Sequence, residues 1–471
     1  MLAQVADAVS QVSSAVLGQG APLATGVSAL EGTLDAAAAA APGLLAPVVA
    51  SLAEDVRNVL SLNLAPLTVL RLSAFYYLFL TRPAPFWSLL DYYVLTPGAA
   101  LTQKRWAPAM FALRDRLGGG NYGVTYEAIK VTGPDEEVAS RLTADQKNRR
   151  LVLKRVGEKL GSQSARSDFL SSGTIARGVA ESGLVEGYMC RKLSRVPAAR
   201  GKVAEFLGDF VVKQTEGAFS KGTQWLVWKF ESDSTLGDAL DGTLGPFPGC
   251  LTDIMVRRVP GTWDQEKRDH ETIKVVLRQI FVALRSIHGS GIVHRDIKPE
   301  NIIVTVEGKV LLIDFGAATD LSTGINFNPQ YGMLDPRYSP PEQLVMPEKT
   351  PKSPPPAIAS FGGPLLWAYG APDLFDTFSA GVVMLQMCVP TLHTKQAQKN
   401  FIADLAKCDY DVQAWRDSGL PTSRGANFAL LDRAGGAGWD LVTKLLAKRN
   451  SSNRGRLSAS GALGHRYFRS A

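Results

Sequence analysis

Apolar residues along this chain of 471 change their spacing at a few points, and each change marks an element. From Ile273 to His288 the apolar positions Val276, Ile280, Phe281, Leu284 and Ile287 recur at helical spacing until Gly289-Ser290-Gly291 stops the run. That spacing predicts a long core helix. Beyond it, the β-branched runs Ile302–Val304 and Val310–Ile313 are split by Glu307-Gly308, which predicts a short hairpin. Ile175–Leu193 reads as a second helix with Val179, Leu184, Met189 and Leu193 on its buried face, and Asp376 opens a third that is apolar to Val389. Leu151-Val152-Leu153 is a strand pattern ending at Lys154, and Trp225–Glu231 is another.

The first hundred residues follow a different rule. Met1–Val56 is rich in Ala, Ser, Gly and Leu and holds no Lys or Arg. Val59–Leu80 is largely apolar and long enough to cross a bilayer, although Asn63, Pro66 and Arg71 interrupt it. An interfacial or docking helix is the alternative. A set of basic residues follows, at Arg82, Lys104, Arg105, Arg114 and Arg116, which would place the rest of the chain on the positive side and the amino terminus across the membrane. No import peptide is evident at the start. The expected organisation is a low-complexity segment 1–57, a membrane helix 58–81, a linker 82–110 and a folded domain 111–468.

Chemistry enters at His294-Arg295-Asp296-Ile297-Lys298-Pro299-Glu300-Asn301 and the later Asp314-Phe315-Gly316. Phosphoryl transfer from a nucleotide needs these groups in this order. Asp296 would accept the proton of an attacking hydroxyl, Lys298 would steady the γ-phosphate, and Asn301 and Asp314 would hold Mg²⁺. The set resembles that of the protein kinases. The resemblance implies an α+β, two-lobed fold, with a small β-rich lobe over 111–231 and a larger helical lobe over 232–468 behind an amino-terminal helical or disordered anchor segment.

In that register Gly118, Gly119, Gly120, Asn121, Tyr122, Gly123 and Thr125 form a glycine-rich loop that admits phosphate oxygens to backbone N–H groups. Lys154 would reach the α- and β-phosphates of ATP if a carboxylate held it; Glu186 is the candidate and Glu181 its rival. Trp228 would be the gatekeeper of the adenine pocket, and Lys229, Phe230 and Glu231 would offer it backbone hydrogen bonds. Three residues read as scaffold. Glu342 would be buried and paired with Arg456, and Asp376 would support the catalytic loop. Where most Ser/Thr kinases carry a Thr, this chain has Asp335, whose carboxylate would pair with Lys298 and repel Asp296. Lys298 favours Ser or Thr over Tyr as acceptor.

Composition changes the picture only slightly. A net charge of +7 is a mild bias toward anionic surfaces, and no Lys/Arg run is interleaved with aromatics, so nucleic acid is not an expected partner. Lys147–Arg150 reads as a solvated turn. Cys190, Cys250, Cys388 and Cys408 form no pair of zinc or disulfide spacing. Two stretches read as insertions: 131–148, and a Pro/Ser-rich stretch 347–370 expected to be extended as far as Pro364. Thr319, Ser322, Thr323 and Tyr331 lie on the expected activation segment, either solvated or, once phosphorylated, paired with Arg295.

Several stretches are more specific. Asp314–Asp320, Leu334-Asp335-Pro336-Arg337-Tyr338, the Pro-rich insert, Cys408-Asp409-Tyr410-Asp411 with Trp415-Arg416, and Gly438-Trp439-Asp440-Leu441-Val442 resemble the chloroplast thylakoid protein kinases of green algae and plants. The resemblance implies a lumenal amino-terminal segment, one transmembrane helix, a stromal kinase domain, and phosphorylation of Thr on photosystem II and antenna proteins. No Cys precedes Cys190, unlike the branch acting on light-harvesting complex II; the insert after Pro340 and the stretch 438–459 resemble the branch acting on photosystem II core subunits. A kinase-shaped scaffold without activity and a soluble kinase with a disordered leader are the alternatives.

Overall fold

The computed structural model describes residues 66–102, 105–120, 123–156 apart from 134, 135, 137, 139 and 140, then 179–325, 335–342, 354–449 and 455–469. It divides into a unit ending at Trp87 and a unit from Ser88 onward. In the first, helix α1 (Pro66–Phe75) runs on as a π turn over Tyr76–Leu80. The Phe75 and Phe79 rings stack at 5.0 Å, and Trp87 Nε1 donates to the Phe79 carbonyl at 3.2 Å. Residues 58–65 of the expected span lie outside the described residues. Among the described residues no helix is long and apolar enough to cross a membrane.

The second unit opens with a helical run that ends in α2 (Thr96–Thr102). A five-stranded antiparallel sheet follows, built from β1 (Phe111–Gly120), β2 (Gly123–Lys130), β3 (Arg150–Val156), β4 (Phe206–Val211) and β5 (Gln224–Lys229) in the order β1-β2-β3-β5-β4. Leu151 and Leu153 alternate with Val152 and Lys154 along β3, as a pleated strand requires. One face packs Leu153 with Trp106, Phe111, Phe210 and Trp225 in a small core. The other face carries Lys154 and meets the helix that supplies Glu186.

The 131–148 insertion is not wholly irregular. It ends in α3 (Ala144–Asn148), started by a reciprocal capping box between Thr143 and Gln146. Lys147–Arg150 likewise departs from a solvated turn. Arg149 bonds Glu136 at 2.6 Å and Asp145 at 2.7 Å, and Arg150 bonds Glu127 at 2.5 Å while lying 3.5 Å over the Phe230 ring. Guanidinium groups flanking a sheet find carboxylates across it, and sequence spacing alone does not reveal them.

Helix α4 (Val179–Arg195) and helix α5 (Gln265–His288) share the main core with the helical lobe. The described part of α4 covers the expected helix from Val179 onward. Helix α5 starts ahead of the expected Ile273 because Asp264 caps it, accepting the Lys267 N–H at 2.6 Å. The expected hairpin forms from β7 (Ile302–Val304) and β8 (Val310–Leu312), with Ile303 opposite Leu311. Strands β6 (Ile292–Val293) and β9 (Thr319–Asp320) pair beside it.

The Pro-rich insert overturns an expectation. Residues 347–353 lie outside the described residues, but Pro356–Gly370 is helix α6, with Pro364 inside it. Pro356 at the first helical position lacks an N–H that no helix would use there. Helix α7 (Leu374–Cys388) follows and is buried along its whole length, so its sequence is apolar all round.

Candidate active site

The small lobe's contribution is a buried cation. Lys154 Nζ lies 2.8 Å from Glu186 Oε2 and 2.9 Å from Asp314 Oδ1. Helix α4 can approach β3 this closely because of Gly183, where an added Cβ would sit 2.4 Å from Val156 Cγ1. Asp314 follows β8 in the left-handed backbone region, with φ of 63°, which turns its carboxylate back toward β3. Burial disfavours the Lys154 ammonium, but Glu186 and Asp314 outweigh it and hold its pKa above the ordinary value. Burial would likewise raise the Asp314 carboxyl, and Lys154 outweighs it and holds it below the usual range. The side chain of Glu181 is not described.

The large lobe contributes a loop of fixed backbone. Asp296 accepts from Lys298 Nζ at 2.7 Å and from Asn301 Nδ2 at 2.8 Å. Beneath it, the fully buried Asp376 accepts the backbone N–H groups of His294 and Arg295, each at 2.8 Å, and bonds His288 Nε2 at 2.8 Å. The loop is thereby held with Arg295 at φ of 70°, a conformation that costs energy in a non-glycine residue. His294 ties this loop to the strand before Asp314, its Nε2 lying 3.0 Å from the Ile313 carbonyl.

Asp335 departs from its expected pairing. Its carboxylate bonds Arg337 at 2.6 Å, whose bidentate fork outcompetes a distant ammonium, while Lys298 keeps Asp296. Glu342 is only half-buried; its partner Arg456 is the enclosed member, bonded at 2.7 Å and also donating to the Leu374 carbonyl at 2.8 Å. Thr319, Ser322 and Thr323 are not solvated. All three are buried, and Ser322 Oγ bonds Lys192 Nζ at 2.6 Å. Tyr331 lies outside the described residues.

Between the lobes is a cleft of about 610 Å³ whose walls include Gly118, Gly123, Thr125, Lys154, Trp228, Asn301 and Asp314. Gly119 and Gly120 end β1, and Asn121 and Tyr122 lie outside the described residues. Gly123 has a packing reason to be glycine. At φ of 153° its missing Cβ would stand 2.2 Å from the Arg155 carbonyl oxygen on β3. Trp228 is buried and meets Phe206 edge-on at 5.4 Å. Of the three hinge amides, Lys229 N–H is spent on the Glu205 carbonyl at 2.9 Å and Phe230 N–H on the Arg150 carbonyl at 3.3 Å.

Asn301 and Asp314 suit a magnesium ion. Both carry hard oxygen donors, and Asn301 commits its amide nitrogen to Asp296, which turns its oxygen elsewhere. Among the described residues no cluster of three His, Cys, Asp or Glu could hold a metal unaided. Magnesium with a nucleotide does not need one, since phosphate oxygens complete its shell.

Sequence reasoning missed His288 as the partner of Asp376, Arg337 as that of Asp335, and the buried Lys192–Asp320 pair at 2.6 Å. Two adjacent basic residues, Arg191 and Lys192, between apolar Met189-Cys190 and Leu193 were the available signal for Lys192.

Comparison with known proteins meets this geometry from the other side. The protein tyrosine and serine/threonine kinase family model matches residues 111–354, and the protein kinase domain model matches 254–468. The chain therefore belongs to the protein kinase family. It is a Ser/Thr protein kinase similar to the chloroplastic Ser/Thr kinase STN8 of Arabidopsis thaliana, at 41% identity over 82% of this chain and 76% of that one. The chloroplastic kinase STN7 of the same plant is 32% identical over 86% of this chain and 65% of its own length. Among solved structures, a Stt7 homolog from Micromonas algae, crystallised and soaked with ATP, is 27% identical, with a TM-score of 0.59 over 78% of this chain and 96% of that one.

Proposed function

We propose that this kinase transfers the γ-phosphate of ATP to Thr residues at the stromal ends of photosystem II core proteins, from a thylakoid membrane on whose stromal side its catalytic domain lies. The observation that carries the chemical part is the convergence of Lys154, Asn301 and Asp314 at one cleft, with Asp296 bonded to Asn301 at 2.8 Å and each already held by a partner. Of the three N–H donors of Lys154, two are occupied by Glu186 and Asp314, and the third is available to an α- or β-phosphate oxygen. Adenine sits at the hinge beneath Trp228, where Glu231 is the remaining amide donor of the three expected. Asn301 and Asp314 would hold magnesium, which would neutralise phosphate charge.

Transfer then follows. The acceptor hydroxyl oxygen bonds to the γ-phosphorus as the bridging bond to ADP breaks, and its proton passes to Asp296. Lys298, 2.7 Å from Asp296, stabilises the charge on the moving phosphoryl group. Arg456, Glu342 and Asp376 act as scaffold.

The greater identity to STN8 than to STN7 and the missing early Cys pair support the core branch over light-harvesting complex II. With Mg-ATP and a Thr-bearing stromal peptide, wild type turns over and Asp296→Asn and Asp314→Ala do not; equal residual labelling in all three would instead indicate a silent scaffold. Thylakoids lacking the protein lose core phosphopeptides while antenna phosphopeptides persist, and the reverse pattern assigns the antenna branch. Resistance to carbonate extraction checks the anchor.

A further inference from the structure

Among the described residues helix α4 makes four ion pairs with the rest of the fold, and three of them lie inside the matched kinase domain. Glu186 faces Lys154, Arg191 bonds Asp209 on β4, and Lys192 bonds Asp320 with Tyr188 adding its hydroxyl at 2.9 Å. The fourth comes from outside. Arg195, in the last turn of α4, sets Nε 2.7 Å from Asp91 Oδ1 and Nη2 3.0 Å from Asp91 Oδ2, and the same Nη2 donates to Thr96 Oγ1 at 2.7 Å. Asp91 and Thr96 precede residue 111, where the kinase family match begins, yet they belong to the same compact unit.

We propose that the Arg195–Asp91–Thr96 clasp is a positioning contact for catalysis, by which the segment ahead of the kinase domain sets the pose of α4 and so the Glu186–Lys154 pair. The inference rests on the role given to that pair above. Geometry supports it in four ways. A forked guanidinium on a carboxylate fixes direction as well as distance, which a single-point contact does not. Both side chains are largely shielded, at 18% and 14% exposure, so water screens the pair less than it would on an open surface. Tyr92, next to Asp91, packs against the main core, so the segment is seated rather than merely touching at one charge. Arg195 is nine residues beyond Glu186 on one continuous helix, and a helix transmits rotation along its axis.

Arg195, Asp91 and Thr96 are not among the residues lining the cleft. They act through Glu186, and the test reads that dependence on the full-length protein. Arg195→Ala and Asp91→Ala each lower kcat on a Thr peptide about tenfold with KM for the peptide unchanged. The double variant is no worse than either single one, because both remove the same contact. Exchanging the charges, Asp91→Arg with Arg195→Asp, restores at least part of the rate. In a Glu186→Gln background, Arg195→Ala adds no further loss. Thr96→Ala and Asp91→Asn serve as milder variants should Arg195→Ala fail to fold, each expected to lower kcat two- to fivefold at an unchanged melting temperature.

A kcat within twofold of wild type for folded Arg195→Ala and Asp91→Asn overturns the proposal. Losses that multiply in the double variant or in the Glu186→Gln background overturn it too. If Glu186→Gln itself leaves kcat unchanged, the role of the Lys154 pair fails instead, and the two failures are told apart.

Discussion

Asp376 and Lys154 are two charged centres of this kinase, and they are built in opposite ways. Asp376 is fully buried in α7, with its donors supplied by the His294 and Arg295 backbone and by His288, and it is not among the residues lining the cleft. Lys154 lines the cleft from β3, and its partners come from two other elements, α4 and the turn after β8. The carboxylate of the first centre accepts three bonds from the fold, whereas the ammonium of the second is paired with two carboxylates at the cleft. A charge with all its partners inside the fold contributes stability, whereas a charge held at a cleft contributes reactivity.

That contrast can be broken most directly at the sealed centre. Asp376→Ala leaves two backbone N–H groups and His288 without their acceptor and is expected to lower folding stability by about 3 to 5 kcal/mol, read by denaturant unfolding. Lys154→Met tests the open centre. It should lower kcat/KM by about a hundredfold to a thousandfold, roughly 3 to 4 kcal/mol, in a protein that still shows cooperative unfolding. Loss of fold in Lys154→Met, or unchanged stability in Asp376→Ala, would erase the distinction.

Trp228→Ala probes the wall of the cleft that Lys154 lines. Removing a buried indole is expected to destabilise by about 3 kcal/mol and to let the cleft accept an adenine nucleotide with a bulky N6 substituent, measured by transfer from that analogue. The smallest effect concerns pH. Burial would raise the Asp376 carboxyl, but His288 and the His294 backbone N–H outweigh it and hold it below the usual range. A depressed carboxyl contributes stability that is complete above its unfolded pKa and is lost as pH falls through the folded one. The stability difference between wild type and Asp376→Asn should therefore be constant near neutrality and shrink in acid below the ordinary carboxylate range. A difference that grows in acid would contradict that sign.

Much of the site was legible because its parts are close in sequence. Asp296, Lys298 and Asn301 occupy one short loop, and the hairpin of Ile302–Val304 and Val310–Leu312 delivers Asp314 a fixed distance later. Local spacing decides such geometry. Where the reading failed, the partner lay far along the chain or the local rule had an exception. Asp335 turned to Arg337 rather than Lys298 because a fork two residues away was better placed. The insert became helical beyond Pro355 because Pro at a helix start costs little.

The order of residues alone determined the kind of chemistry and the two-lobed plan and nominated the groups expected to react, since each follows from short-range pattern. Packing decided who holds them. His288 reaches Asp376 across 88 positions, Arg195 reaches Asp91 across 104, and Lys192 finds Asp320 across 128. Contacts of that span depend on how helices and sheet settle against one another, and burial then selects the one partner that can satisfy a charge out of reach of water.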